Sequence, residues 1–162
     1  LQSFRPGKTD LSGLKVGFLK YTLKITNMDN ETDKILTFFR FEDLRVYHKA
    51  LDYIEWVHSN TSIFPENEID NLTGKFVNSA QAIALQIAEG SSRNKTQFIY
   101  YLKMAKSSIR ECVVFTAVSR NLNYMTDAAM DESRGQLMEL TKMIGALIGS
   151  LQRSNGGNYD EK

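Results

Sequence analysis

The stretch Ile69-Asp-Asn-Leu72-Thr-Gly-Lys-Phe76-Val-Asn-Ser-Ala80-Gln-Ala-Ile83-Ala-Leu-Gln-Ile87-Ala-Glu-Gly90 decides the fold. Its apolar residues recur at steps of three and four, the period of a helix with one buried stripe and not of a strand. Steps of that kind, sustained over some twenty residues, predict a helix near 67–89 lying on a bundle seam. Gly90 reads as its stop, since glycine is common just past a helix end.

The same period extends in both directions. Upstream, Leu44, Tyr47, Leu51, Ile54 and His58 form one stripe, flanked by Val46, Ala50, Tyr53 and Val57, which predicts a helix near 42–60. Pro65 separates the two helices, because proline lacks the backbone donor and disfavours helix just before itself. Downstream, Asn94 with Gln97 three positions on is an N-cap signal, opening a helix that runs to about Tyr124. Thr126 and Asp127 make the next joint. A fourth helix follows, with Leu137, Leu140, Ile144, Leu147, Ile148 and Leu151 as its stripe. No strand alternation appears beyond Phe38. The fold class is therefore all-α, an antiparallel up-down four-helix bundle over 40–153, with 154–162 as a frayed tail.

Composition agrees. The 162 residues, 42% hydrophobic and 24% charged with two prolines, suit one globular domain and exclude collagen-like, disulfide-rich and disordered classes. The net charge of +1 gives no bulk attraction to nucleic acid. Cys112 is the single cysteine, so no intrachain disulfide forms, and a reduced, cytoplasmic setting is expected. No uninterrupted apolar run approaches the roughly 18 residues of a membrane span. Residues 1–39 form a basic N-terminal extension. Its first 27 residues carry +4, leaving −3 for the chain from Met28 on. It reads as a flexible arm, a short lid, or an upstream stretch before a start at Met28.

Beyond the periodicity, the chain resembles a known family. Phe41-Glu-Asp-Leu-Arg-Val-Tyr-His-Lys-Ala50, Phe64-Pro65 with Glu68, Ile87-Ala-Glu-Gly90 with Arg93, and Phe98, Leu102, Ala105-Lys-Ser-Ser108 and Glu111 follow one another in the order of the 23S rRNA intervening-sequence proteins. These include the accessory variability proteins of diversity-generating retroelements. The sequence departs from the family pattern at Asn78, Gln86 and Lys106-Ser107. The resemblance implies a bundle that assembles into a ring-like homopentamer without enzymatic activity. It also implies, in some members, work beside a reverse transcriptase.

Few side chains in this pattern suggest chemistry. A di-iron bundle needs two Glu-x-x-His units, but only Glu55-Trp-Val-His58 is present and His48 has no such partner, so no metal or other cofactor is expected. His58 is expected on the buried stripe. Cys112 lies among Ile109, Phe115 and Ala105, where a thiol behaves as a small hydrophobe, so no catalytic residue is assigned. Lys95, Lys103, Lys106, Arg110 and Arg120 fall within an arc of about 100° on a helical wheel. They are the candidate nucleic-acid-binding residues, with a solvated charged face as the bland alternative. Trp56, on the polar side of the first helix, and Gly145 and Gly149, one turn apart in the fourth, are candidate interface residues. Glu89 and Arg93 are expected to latch the turn at Gly90, and the hairpin register is expected to set Lys75 against Glu111 and Ala82 against Met104. The expected function is a non-catalytic, homo-oligomeric accessory or scaffold protein whose partners are RNA or DNA, or a nucleic-acid enzyme such as a reverse transcriptase. The alternative is a pure protein–protein interaction scaffold.

Overall fold

The computed structural model describes residues 39–154, so the expectations for residues 1–38 and 155–162 lie outside it. Among the described residues there are four α-helices and no strand: α1 (Arg45–Thr61), α2 (Gly74–Ser91), α3 (Lys95–Asn121) and α4 (Asp127–Arg153). A short 3-10 turn, Arg40–Asp43, leads into α1. Each helix packs against the next, and α1 against α4, which closes the bundle. The short joints after α2 and α3 leave α2, α3 and α4 no consecutive arrangement but antiparallel.

The joints follow from local chemistry. Asn94 accepts a 3.0 Å hydrogen bond from the Gln97 amide, and Thr126 accepts one of 3.2 Å from the Ala129 amide, capping α3 and α4. α3 ends earlier than expected, at Asn121. Asn123 takes a left-handed φ of 60°, while the Tyr124 amide reaches the Ser119 carbonyl and the Asn123 amide that of Arg120. This is a Schellman closure with asparagine in the usual glycine place. α2 begins later than expected, at Gly74. Before it lie a 3-10 turn, Glu66–Glu68, and a single π turn, Ile69–Thr73, which Glu68 caps by accepting from the Leu72 amide. Ile69, expected on the seam, is exposed on that turn.

Gly90 does not stop α2. The helix runs through it to Ser91, and no glycine among the described residues has a positive φ. Gly90 is buried, and an added Cβ would stand 2.7 Å from Tyr101 Cβ and 2.8 Å from Phe98 Cδ2. Its role is to bring α3 close.

The core is built from Phe76, Ala80, Ile83 and Ile87 of α2, Leu102, Ala105, Ile109 and Cys112 of α3, and Leu137, Leu140 and Ile144 of α4. Each large apolar side chain buried there contributes about 1.5–3 kcal/mol. α1 is turned by about 100° from its expected orientation. Val46, Ala50, Tyr53 and Val57 face inward, Leu44, Tyr47 and Ile54 lie half-buried on one shoulder, and Leu51 and His58 are exposed. Side-chain size explains the difference. Tyr53, the one large ring on the inward face, has its hydroxyl bonded inside the bundle, and the small Ala50 beside it lets the helices approach.

Candidate functional site

Helix α3 carries neither glycine nor proline and spans the full bundle, so both of its long faces are regular surfaces. Its inward face is rich in small polar groups: Ser108, Thr116 and Ser119 are buried beside Cys112. Thr116 and Ser119 donate to the carbonyls of Cys112 and Phe115, one turn back, each at 2.8 Å. The outward face reverses the usual pattern. Tyr100 and Val114 are 59% and 57% exposed, and Met104, Val118 and Leu122 join them. These five residues occupy an arc of about 80° on the wheel.

The five cations of the same helix are not equivalent. Lys95 donates a 2.6 Å hydrogen bond to Ser154 Oγ at the end of α4. Arg120 pairs with Asp127, and that hydrogen-bonded contact raises the arginine pKa and lowers that of the carboxylate. Lys103 and Arg110 are exposed, Lys106 is half-buried, and none of the three makes an ion pair among the described residues. The three span about 60° of arc and about 10 Å of helix, directly beside the apolar arc. Lys103, Lys106 and Arg110 are thus the part of the row that is not held by the contacts to Ser154 and Asp127 at the ends of α4.

At the α2–α3 turn, Arg93 Nε donates to Glu89 Oε1 at 2.9 Å and Nη2 reaches the same oxygen. This hydrogen-bonded pair raises the arginine pKa. Glu111 accepts a 2.7 Å hydrogen bond from Ser79, not from Lys75, which places the hairpin register one helical turn from the expected one. Trp56 is half-buried and stacks on Tyr53, with ring centroids 5.8 Å apart and planes at 8°. One side of the indole thus packs on the bundle core, and the rest stays accessible in the single chain. Among the described residues an added Cβ at Gly145 would meet nothing within 4 Å, and at Gly149 only the tip of Arg153, so no described neighbour requires either glycine.

His48 is exposed and bonds the Glu42 carbonyl oxygen at 2.6 Å. His58 is also exposed, correcting its expected place on the buried stripe. Among the described residues no three His, Cys, Asp or Glu side chains converge as metal ligands would. Cys112 is buried, and burial pushes its thiol pKa up to about 12.

Periodicity gave no sign of one buried polar cluster. Ser133 Oγ lies 2.9 Å from both the Tyr53 hydroxyl and Thr116 Oγ1, which links α1, α3 and α4 at the centre of the core. Nor did it single out the outward apolar arc, although the spacing of Tyr100, Met104, Val114, Val118 and Leu122 carries it.

Fold and surface together define an all-helical bundle protein with an exposed apolar arc and a row of cations on the outward side of α3. The chain belongs to the 23S rRNA-intervening sequence protein family, whose model matches residues 42–146. Its fold is similar to that of a crystallised protein of unknown function from the S23 ribosomal protein family of Bacteroides thetaiotaomicron. The TM-score is 0.58 at 18% identity, covering 64% of this chain and 95% of that one. No curated protein matches the sequence. No described helix is long and apolar enough to cross a membrane.

Proposed function

We propose that this chain is a non-catalytic accessory protein that assembles with copies of itself and contacts RNA or DNA through Lys103, Lys106 and Arg110. The observation that carries this reading is three cations without ion-pair partners among the described residues, on one short arc of α3 beside an exposed apolar arc on the same helix. With a net charge of only +1, attraction to phosphate must come from local charge and its repetition. Self-assembly through Tyr100, Val114 and Val118 supplies the repetition, and the ring-like homopentamer is the form the family resemblance implies. Contacts to phosphate by lysine and arginine are largely independent of sequence. A reverse transcriptase is the partner enzyme that the same resemblance implies.

A second reading, a protein-interaction scaffold that never touches nucleic acid, draws on the apolar arc alone. Retention of single-stranded RNA at low salt separates the two. The first reading expects retention by the wild type and its loss in the triple variant Lys103→Glu, Lys106→Glu, Arg110→Glu with helicity intact. Absence of retention by the wild type favours the scaffold.

A further inference from the structure

Between α3 and α4 runs an open groove of about 690 Å³. Ile109 and Val113 from α3 and Leu137 and Met138 from α4 line it, and Met138 is 57% exposed. Arg134 and Lys142 stand on its α4 edge, both exposed and neither in an ion pair among the described residues, with Asp131 toward one end. Gly135 also lines the groove, and a Cβ built on it would meet nothing within 4 Å. A glycine inside a helix is unfavourable, and no described neighbour requires this one.

We propose that this groove docks an amphipathic helix of a partner protein, one that carries acidic residues along its flank. The inference goes beyond the nucleic-acid reading and does not depend on it. An apolar floor offers nothing to a phosphate chain but fits the leucine-type anchors of a helix laid in a groove. From Asp131 to Lys142 the edge extends for about 16 Å, three helical turns, enough for anchors at i, i+3, i+4 and i+7. Arg134 and Lys142 stand about 12 Å apart, so carboxylates two turns apart on the partner meet both. Gly135 keeps the wall open.

The test uses the full chain and two synthetic amphipathic peptides of about 15 residues with the same leucine anchors. One carries glutamates on its flank and the other lysines, and binding is read by fluorescence anisotropy. The glutamate peptide should bind about tenfold tighter than the lysine peptide, a margin that charge complementarity can supply. The double variant Arg134→Glu, Lys142→Glu should weaken it about tenfold. Gly135→Leu should abolish it with the circular dichroism spectrum unchanged. Equal binding of the two peptides, no binding of either, or wild-type binding by Gly135→Leu overturns the proposal. So does displacement of the peptide by single-stranded RNA, which assigns the groove to nucleic acid. Dissociation of a wild-type assembly by Gly135→Leu also overturns it, since that assigns the groove to a second copy.

Discussion

Gly90 and Tyr101 meet across the α2–α3 hairpin so closely that a Cβ on the glycine would lie 2.7 Å from the Cβ of the tyrosine. Helix propensity alone favours alanine there by about 1 kcal/mol. Overpacking against a backbone-proximal atom costs about 1–3 kcal/mol, and it outweighs that gain, because Phe98 closes the other side at 2.8 Å. Gly90→Ala should therefore lower the unfolding free energy. Gly135→Ala and Gly145→Ala, where a Cβ meets open space, should each raise it by up to about 1 kcal/mol. Chemical denaturation of the three variants checks the opposite signs.

Ser133 is the hub of the buried hydroxyl cluster. Ser133→Ala leaves Thr116 its bond to the Cys112 carbonyl but removes the 2.9 Å partner of the Tyr53 hydroxyl, which keeps only Thr116 and Cys112 beside it at full burial. Losing a hydrogen bond of a buried group costs about 1 kcal/mol. Tyr53→Phe in the same background should recover part of the loss, read as a non-additive double-mutant cycle.

Two buried acids tie stability to alkaline pH. Burial raises the Cys112 thiol from an ordinary 9.0 to about 12, and burial likewise pushes the Tyr53 phenol above its ordinary 10.0. In the folded protein both stay neutral after their unfolded counterparts have ionised, so the unfolded chain binds fewer protons above pH 9. Their contribution is complete below pH 9 and is lost as pH rises toward 12. Stability measured against pH should fall through that window, and in Cys112→Ala the fall should begin about one pH unit later, where phenols ionise. An unchanged onset in Cys112→Ala argues against the thiol's share.

How far the sequence could be read depended on which signal each element used. Asn94 with Gln97, Thr126, and the three-and-four spacing from Leu72 to Ile87 act locally, so the α3 and α4 caps and the α2 seam were legible. The orientation of α1 was not. Leu51 and Ile54 are larger and more apolar than Ala50, yet close helix packing prefers Ala50 inside and leaves Leu51 in solvent. Hydroxyls such as Thr116 and Ser119 hide from hydrophobic periodicity because they satisfy themselves on carbonyls one turn back. The five-cation track looked continuous on a wheel. Lys95 and Arg120 have partners at the ends of α4, Ser154 and Asp127, which a wheel of one helix does not contain.

The apolar arc of α3 yields its own test. Glutamate at Val114 and Val118, both exposed in the single chain, should leave the monomer's fold intact. If copies meet there, removing a central anchor weakens association by about 2 kcal/mol or more. Light scattering should then show a smaller particle for the double variant than for the wild type. A wild-type monomer at micromolar concentration contradicts self-assembly.

The most direct test of the central claim is the salt dependence of single-stranded RNA binding, with wild type and the Lys103→Glu, Lys106→Glu, Arg110→Glu variant measured side by side. Three phosphate contacts per subunit predict a slope of log affinity against log salt of about −2 or steeper. The variant should show no measurable binding near the low-salt end, about 50 mM. A wild type that fails to bind there, or a variant with the wild-type slope, contradicts the account.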